Sequence, residues 1–527
     1  MKSAWDLVAM AAHRTPRQLA LVDDRSDRRS TYGELVREVE AIAAGLARRG
    51  VAAGTRFATA LPNLYDHCLV LLALHRLGAV PALLNFRLKP EEIAALVERT
   101  RIGGAVILPD EALAARLRAV LPADAPLLSV GRAAAPAEDL AGCRESPERA
   151  PAYPAPEPEA PSMIFYTSGT TGLPKGVLLA HRTHEPRVTW LAAMAGVHGG
   201  AHLRSLAIAP LSHAIGYHGI FLWTLASSGT FHALSPLEPA GALDTIEHHR
   251  IGYLFTLPTI LQSLVAAPSY RPERVRSLET VLWGGATIAP ELLELLHREW
   301  PAKLGHIYGT TETMCTLCNT APVGQHDVLR RADGCRVRIA DLGDLDRDVG
   351  PGIEGELLVD ATGDAIFSGY LDRPDATAEK LHGAWYRTGD GAVELSDGSL
   401  RLLGRVDDMI RSGGEYIQPE EVEAVLRAHP GVRDVAVVGV ADPRWGQAAI
   451  ACVDGDPAAA PAADLDRLCR ASSVANFKRP RGYLYLDALP WSPAGKLLRR
   501  ELRRLAAQAR SGDAMLRFDE PLSGTGT

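Results

Sequence analysis

The 527-residue sequence has no long apolar run. Its most apolar stretch, Cys68 to Phe86, is broken by His75, Arg76 and Pro81. That excludes a bilayer-spanning helix and suits a buried helix followed by a strand. The opening segment to Pro16 carries Asp6, His13 and Arg14, and so lacks the apolar core of a secretion signal. A strong charge of one sign is also missing, because 56 Lys+Arg stand against 63 Asp+Glu for a net charge of -7. Such a balance excludes a broad electrostatic face for nucleic acid or an anionic membrane, so any phosphate site must be local. Cysteines are few, odd in number and scattered, which excludes a disulfide framework and fits reduced thiols in the cytosol. Cys315 and Cys318 have C-x-x-C spacing, but no second pair lies nearby, and they read as packed thiols rather than a zinc or redox site. No internal repeat is visible.

What is present is an alternation of strand and helix. The length calls for more than one domain. Leu35, Val39, Ile42 and Leu46 form one stripe between Ser30 and Arg49, with Thr31 as N-cap and Glu34 completing a capping box. Short apolar runs at Ala105–Leu108, Leu127–Val130 and Met163–Tyr166, separated by helical stretches, predict largely parallel strands in an α/β architecture. Ser146–Ser162, rich in Pro, Ala and Glu, reads as an extended surface linker. Beyond Arg405–Asp408 a smaller α+β pattern begins. Pro419 sits in the first turn of a helix, Val432–Val440 and Ala448–Val453 pair as strands, and Asp464–Ala471 is helical. Tyr483–Leu486 predicts a further strand and Leu497–Leu505 a basic helix. The expected division is a large domain over 1–405, a small α+β domain over 406–508 and a disordered tail over 509–527.

The chemistry concentrates in short motifs. Tyr166-Thr-Ser-Gly-Thr-Thr-Gly-Leu-Pro-Lys-Gly176 follows directly on an apolar strand. Its glycines permit close approach to an anion. Thr167, Ser168, Thr170 and Thr171 supply hydroxyl donors, and Lys175 adds positive charge. This is a phosphate cradle without the lysine–Ser/Thr ending of a Walker A loop. Composition alone would also allow a flexible turn. Further along stand Ile307-Tyr-Gly-Thr-Thr-Glu312, Tyr386-Arg-Thr-Gly-Asp390, Gly404-Arg-Val-Asp-Asp-Met-Ile410 and Pro493-Ala-Gly-Lys496.

In this order the motifs resemble the signatures of the adenylate-forming superfamily, and over nearly the whole chain. The stretches His75–Lys89, Gly404–Glu415 and Asn476–Pro480 are most similar to the 4-chlorobenzoate–CoA ligase group of aryl-CoA ligases. The resemblance implies a large domain of mixed and parallel sheets with flanking helices, and a small mobile α+β lid. It implies a ligase that activates a carboxylic acid with ATP and Mg2+ as acyl-AMP, then passes the acyl group to coenzyme A as the lid rotates. Gly169 and the rest of the 166–176 loop would hold the ATP phosphates, and Glu312 would bind Mg2+. Tyr308 would stack on adenine, Asp390 would accept from the ribose hydroxyls, and Arg405 would contact the ribose or phosphate side. Gly285, Ala286, Gly309, Thr310 and Thr311 would complete the nucleotide site. Lys496 would bridge carboxylate and α-phosphate in the first step alone, and Asp407 would be the hinge.

For the second step, Gly413, Gly414 and Glu415 would line the pantetheine tunnel, with Gly414 flat against it and Trp445 packed on Glu415. Arg87, Lys478 and Arg479 match positions that contact the CoA nucleotide. The acid would lie among Trp190, His213, Ala214, Ile215, Gly284, Ile307, Met314 and Cys315, with His213 closing over the acyl group. That lining is apolar and lacks an aspartate for an ammonium group, so the expected substrate is an uncharged hydrophobic acid, aryl or bulky alicyclic. Small molecules are the expected partners, with no nucleic acid and no membrane, and a homodimer is left open. Two alternatives also stay open: loading the acid onto a carrier protein, and thioester formation solely from supplied acyl-adenylate.

Overall fold

The computed structural model describes residues 2–146, 155–167, 174–195, 199–200, 202–412, 415–472, 474–491, 497–510 and 516–517. The chain divides into two compact units interleaved in sequence. One comprises Met1–Arg338, Leu358–Tyr386 and Asp397–Leu400; the other comprises Ile339–Leu357, Arg387–Ser396 and Arg401–Thr527.

In the first unit the capping box forms as the sequence predicts. Thr31 caps the helix Tyr32–Arg48, and the Glu34 carboxylate accepts the Thr31 N–H at 2.9 Å. Leu35, Val39, Ile42 and Leu46 are fully buried on its inner face. One sheet runs through Arg56–Ala60, Val80–Leu83, Ala105–Ile107 and Leu127–Ser129 in parallel register, because helices return the chain to the same end after each strand. Pro161–Thr167 joins it parallel to Val80–Leu83, then turns back through Lys175–Ala180 as an antiparallel hairpin. The apolar segment around residue 70 is the buried helix Tyr65–Arg76 leading into Val80–Leu83, as its sequence predicts. A second sheet carries Tyr253–Thr256, Thr280–Trp283 and Lys303–Thr310 in parallel order, followed by the antiparallel Met314–Asn319.

The second unit holds a sheet covered on both faces. Val432–Asp442 and Gly446–Gly455 pair antiparallel, and Gly482–Leu486 lies parallel beside the latter. Val435, Val437, Ala449 and Ala451 face a core shared with the helices Pro419–Arg427 and Ala462–Ala471. Ala436, Val438, Val440 and Ile450 point the other way, onto Leu502 and Ala506 of the helix Arg499–Arg510. Burial on both faces explains why these strands read as continuous apolar runs rather than strict alternation. The helix extends further than its sequence predicts, and Leu516–Arg517, inside the segment expected to be disordered, pairs with Gly482–Tyr483. Among the described residues no helix is long and apolar enough to cross a membrane.

The first unit also buries histidines. Burial pulls His67 and His306 down to about 4, and His75 and His232 down to about 3. Their folded affinity for protons is lower than the unfolded one. Their contribution to stability is therefore complete above the unfolded value of about 6.5 and is lost as pH falls toward the folded values. The thermal midpoint is expected to fall steadily as pH is lowered from about 7 to about 5, each such histidine contributing about 1.4 kcal/mol per pH unit. Calorimetry across that range checks it, and a flat profile would contradict neutral burial.

Candidate active site

The phosphate-loop motif begins on the hairpin. Thr167 pairs with Lys175 across it, while Ser168, Gly169, Thr170 and Thr171 lie outside the described residues. Lys175 is held with Nζ 5.1 Å from the centre of the Tyr370 ring, a cation–π contact. Tyr370 arrives there because Gly369–Tyr370 adds antiparallel to the Lys175–Ala180 strand. Its hydroxyl donates to Glu312 Oε1 at 2.7 Å. Glu312 is buried, and its carbonyl oxygen is fixed by the Phe367 N–H at 2.8 Å and by Arg187 Nη2 at 3.1 Å. One aromatic ring thus joins the cationic end of the phosphate loop to the carboxylate proposed for the metal. A buried carboxylate oriented by a hydroxyl donor offers hard anionic oxygen, which fits Mg2+.

Tyr308, Gly309 and Thr310 end the strand Lys303–Thr310, where the register shifts against Met314–Asn319. Thr313 donates its N–H to Thr310 Oγ1 at 3.2 Å and closes the turn that carries Thr311 and Glu312. Gly284 and Gly285 follow the neighbouring strand Thr280–Trp283, and Ala286 is exposed beyond them. A Cβ at Gly284 would stand 2.8 Å from the Ile307 carbonyl and 3.8 Å from Ile215 Cδ1, so three expected acid-pocket positions do meet. Met314 and Cys315 are buried in the returning strand, and burial pushes the Cys315 thiol up to about 12, as suits a packed thiol. Trp190 is half-buried on the helix His184–Ala195, and His213 and Ala214 lead into a π-helical segment, Ile215–Leu222.

The second unit assembles the other motifs. Arg405 Nη1 donates to Asp390 Oδ1 at 3.0 Å and to the Thr388 carbonyl at 2.8 Å. The Asp390 N–H is taken by Thr388 Oγ1 at 3.0 Å, and that hydroxyl donates to the Leu357 carbonyl at 2.7 Å. Beneath lies Glu356, buried, which accepts the Gly389 N–H at 3.2 Å and Arg387 Nη2 at 2.8 Å. Asp407 is exposed in a 3-10 turn, Val406–Asp408. Its carbonyl accepts from Arg503 Nη2 at 3.2 Å, and Arg503 also reaches Asp408 Oδ1 at 2.5 Å. Trp445 lies between Arg444 and Arg481, whose guanidinium carbons stand 4.7 and 5.1 Å from its ring centre. Lys478 Nζ donates to Glu421 at 2.6 Å, while Arg479 is buried in an ion pair with Asp466. In the first unit, Arg87 is exposed with its guanidinium 5.4 Å from the Phe86 ring. Glu415 opens the strand Glu415–Ile417; Gly413, Gly414 and Lys496 lie outside the described residues.

Sequence reasoning missed Tyr370, Arg187 and Glu356. Glu356 did leave a signal: an acid at an inward position of the apolar strand Glu354–Asp360 calls for a buried partner. Tyr370 and Arg187 left none, because their partners lie far along the chain.

Comparison with known proteins places this geometry. The model of the AMP-binding enzyme family matches residues 8–371, and that of the AMP-binding enzyme C-terminal domain matches 421–496. A protein of Arthrobacter sp. named 4-chlorobenzoate–CoA ligase is 41% identical over 506 residues, covering 95% of this chain and 95% of that protein. Its namesake from Pseudomonas sp. (strain CBS-3) is 37% identical, over 95% of this chain and 94% of its own length. Among solved structures, o-succinylbenzoate CoA synthetase of Bacillus subtilis with its acyl-adenylate intermediate superposes at a TM-score of 0.81. It shares 25% identity, over 95% of this chain and 98% of that one. With both family models matched and relatives aligned almost end to end, the chain belongs to the AMP-binding, adenylate-forming enzyme family.

Proposed function

We propose that the protein is an acid–CoA ligase that converts an aryl or bulky alicyclic carboxylic acid into its CoA thioester through acyl-AMP. The observation that carries the reading is the chain Lys175–Tyr370–Glu312, in which one tyrosine has a cation over its ring and a buried carboxylate at its hydroxyl, beside the hairpin that carries the phosphate-loop motif. Kinship with the 4-chlorobenzoate–CoA ligases favours an aromatic acid, and the apolar lining at Ile215, Gly284, Ile307 and Met314 agrees.

In the first step a carboxylate oxygen attacks the α-phosphorus of ATP and the bond to pyrophosphate breaks, which turns a poor leaving group into AMP. In the second the CoA sulfur attacks the acyl carbon, the carbon–oxygen bond to AMP breaks, and the thiol proton passes to solvent. Charge on the phosphoryl oxygens makes the first step a matter of positioning and electrostatics. Thr167, Ser168, Gly169, Thr170, Thr171 and Lys175 are the proposed phosphate contacts. Glu312 would hold Mg2+, which when bound supplies neutralising charge on the phosphates. Tyr308 and Asp390 would seat adenine and ribose, with Arg405 holding the Asp390 carboxylate from one side. Lys496 would bridge the reacting groups, and His213 would close the acid pocket.

The lid over 406–508 would turn about Asp407 to present Gly413, Gly414 and Glu415 with Trp445 for pantetheine. Arg87, Lys478 and Arg479 are the proposed contacts of the CoA nucleotide. The exposed Arg87 can make its contact as it stands. Lys478 and Arg479 first have to give up part of their pairing to Glu421 and Asp466.

Mass spectrometry of reactions with MgATP, CoA and a panel of benzoates, cinnamates, fatty acids and polycyclic acids tests the proposal. Acyl-CoA from a ring-bearing acid is expected. Silence from the panel and from synthetic acyl-adenylates alike would overturn it. Lys496→Ala is expected to abolish pyrophosphate release while transfer from supplied acyl-adenylate continues, and equal loss of both steps would refute the division of labour. Tyr370→Phe keeps the ring under Lys175 and removes the donor to Glu312. Titration of Mg2+ in the adenylation assay should show its requirement raised about 10- to 100-fold, the range for losing such a supporting hydrogen bond.

A further inference from the structure

On the elements that carry Trp190 and Ile215, the first unit buries a polar chain that the catalytic reading does not use. Ser162 Oγ lies 2.7 Å from His184 Nε2, and His184 Nδ1 lies 3.1 Å from His218 Nε2. All three side chains are fully buried, and the two imidazoles meet nearly edge to edge, 5.3 Å between centres and 28° between planes. Burial holds His184 and His218 well below the usual histidine range, and the nearby Arg187 charge pushes in the same direction, so both rings are neutral. His218 Nδ1 and Arg187 Nη1 are buried without a hydrogen-bond partner among the described residues. The guanidinium nitrogen can only donate, and the imidazole nitrogen donates or accepts according to the tautomer that the chain sets.

Each member belongs to an element that shapes the site. Ser162 sits on the strand Pro161–Thr167 that enters the phosphate loop, and His184 begins the helix that carries Trp190. His218 lies in the π-helical segment Ile215–Leu222. A π-helix is costly to form and needs support from outside its own backbone. Here the support comes from polar ties on several sides. The Tyr217 hydroxyl lies 2.6 Å from His75 Nε2, the Tyr253 hydroxyl donates to the Gly219 carbonyl at 2.9 Å, and His218 is tied to His184. A Cβ at Gly216 would stand 2.1 Å from the Pro210 carbonyl, so the segment also lies flat against the chain that leads into His213.

We propose that His184 and His218 are positioning residues for acid selectivity: through their mutual bond they fix the spacing between the Trp190 helix and the Ile215 segment, the two expected walls of the acid pocket. The pair acts as a spacer of set length. Two neutral imidazoles hydrogen-bonded in line can neither close up without a clash nor separate without leaving a buried nitrogen bare. Ser162 anchors the spacer to the phosphate-loop strand, so the acid pocket is registered to the ATP side of the site rather than floating beside it.

The inference rests on the acid–CoA ligase reading, and binding of non-reacting analogues separates the two. Calorimetry would compare AMP, benzoyl-sulfamoyl-adenosine and 2-naphthoyl-sulfamoyl-adenosine on the wild-type protein, His218→Phe, His218→Gln and Ser162→Ala. His218→Phe keeps the bulk and removes the ring nitrogens. It is expected to change the preference between the two acyl analogues by about fivefold or more while AMP affinity stays within about twofold, since displacements on the ångström scale cost up to about a hundredfold. His218→Gln, which can still reach His184, should restore the wild-type preference. Ser162→Ala, at the far end, should move it in the same direction by less, which keeps the result readable if the Phe variant folds poorly. An unchanged preference in both His218→Phe and Ser162→Ala would overturn the proposal, as would AMP affinity falling in step with the acyl analogues. If the wild-type protein binds neither acyl analogue more tightly than AMP, the ligase reading itself fails and this inference fails with it.

Discussion

A carboxylate taken out of water must be met by donors, and in this protein the donors decide where the buried acids point. Glu312 is aimed by the Tyr370 hydroxyl, and its backbone is tied by Arg187 and Phe367. Glu356 gathers the Gly389 N–H and the Arg387 guanidinium, which fixes the turn presenting Asp390. In the second unit Glu423 accepts the Val437 N–H at 2.8 Å and Arg499 Nη1 at 2.7 Å, which joins the helix Pro419–Arg427 to the neighbouring strand and to the last helix. In none of these cases does the buried acid orient itself. Removing a donor would leave a buried charge uncompensated, a far larger penalty than the modest net value of one hydrogen bond.

The two units use this device for different ends. In the first the donors converge on residues proposed to meet phosphate and metal, and the helical and π-helical segments proposed as walls of the acid pocket are joined to each other through two imidazoles. In the second the arginines dominate: Arg405 braces Asp390, while Arg499 and Arg503 reach Asp408 beside the proposed hinge. Desolvation raises the neighbouring Glu420 to about 7, and Glu423 and Asp408 add to the rise against the opposing charge of Arg499. Asp407, the proposed hinge, therefore stands near carboxylates that share the guanidinium groups of Arg499 and Arg503.

Much of the fold was legible because it rests on local rules. The Thr31–Glu34 capping box, the proline-initiated helix at Pro419 and the buried helix–strand passage near residue 70 each follow from a few adjacent side chains. Parallel strands were readable from the alternation of apolar runs and helices. The motifs Ile307–Glu312 and Tyr386–Asp390 carry the proposed site residues, but give no sign of what holds them in place. Tyr370 meets Glu312 across 58 positions of chain and Arg187 meets it across 125, separations at which no periodicity carries information. The π-helical segment was illegible for the same reason, since its support comes from Tyr253, His75 and His184 rather than from its own sequence. The C-x-x-C pair shows the reverse: a pattern with chemical meaning elsewhere that here falls on a strand whose Cys315 thiol is buried.

The helix Arg499–Arg510 is the least apolar of the helices around the small sheet, yet it covers one face of that sheet together with Leu489 and Leu497. Leu502 and Ala506 are fully buried against Ala436, Val438 and Ile450. The charged side chains on its remaining faces are the ones that reach Asp408 and Glu423. This helix is therefore keystone rather than fringe. A cut before residue 500 would remove the stone that closes this core and holds Asp408.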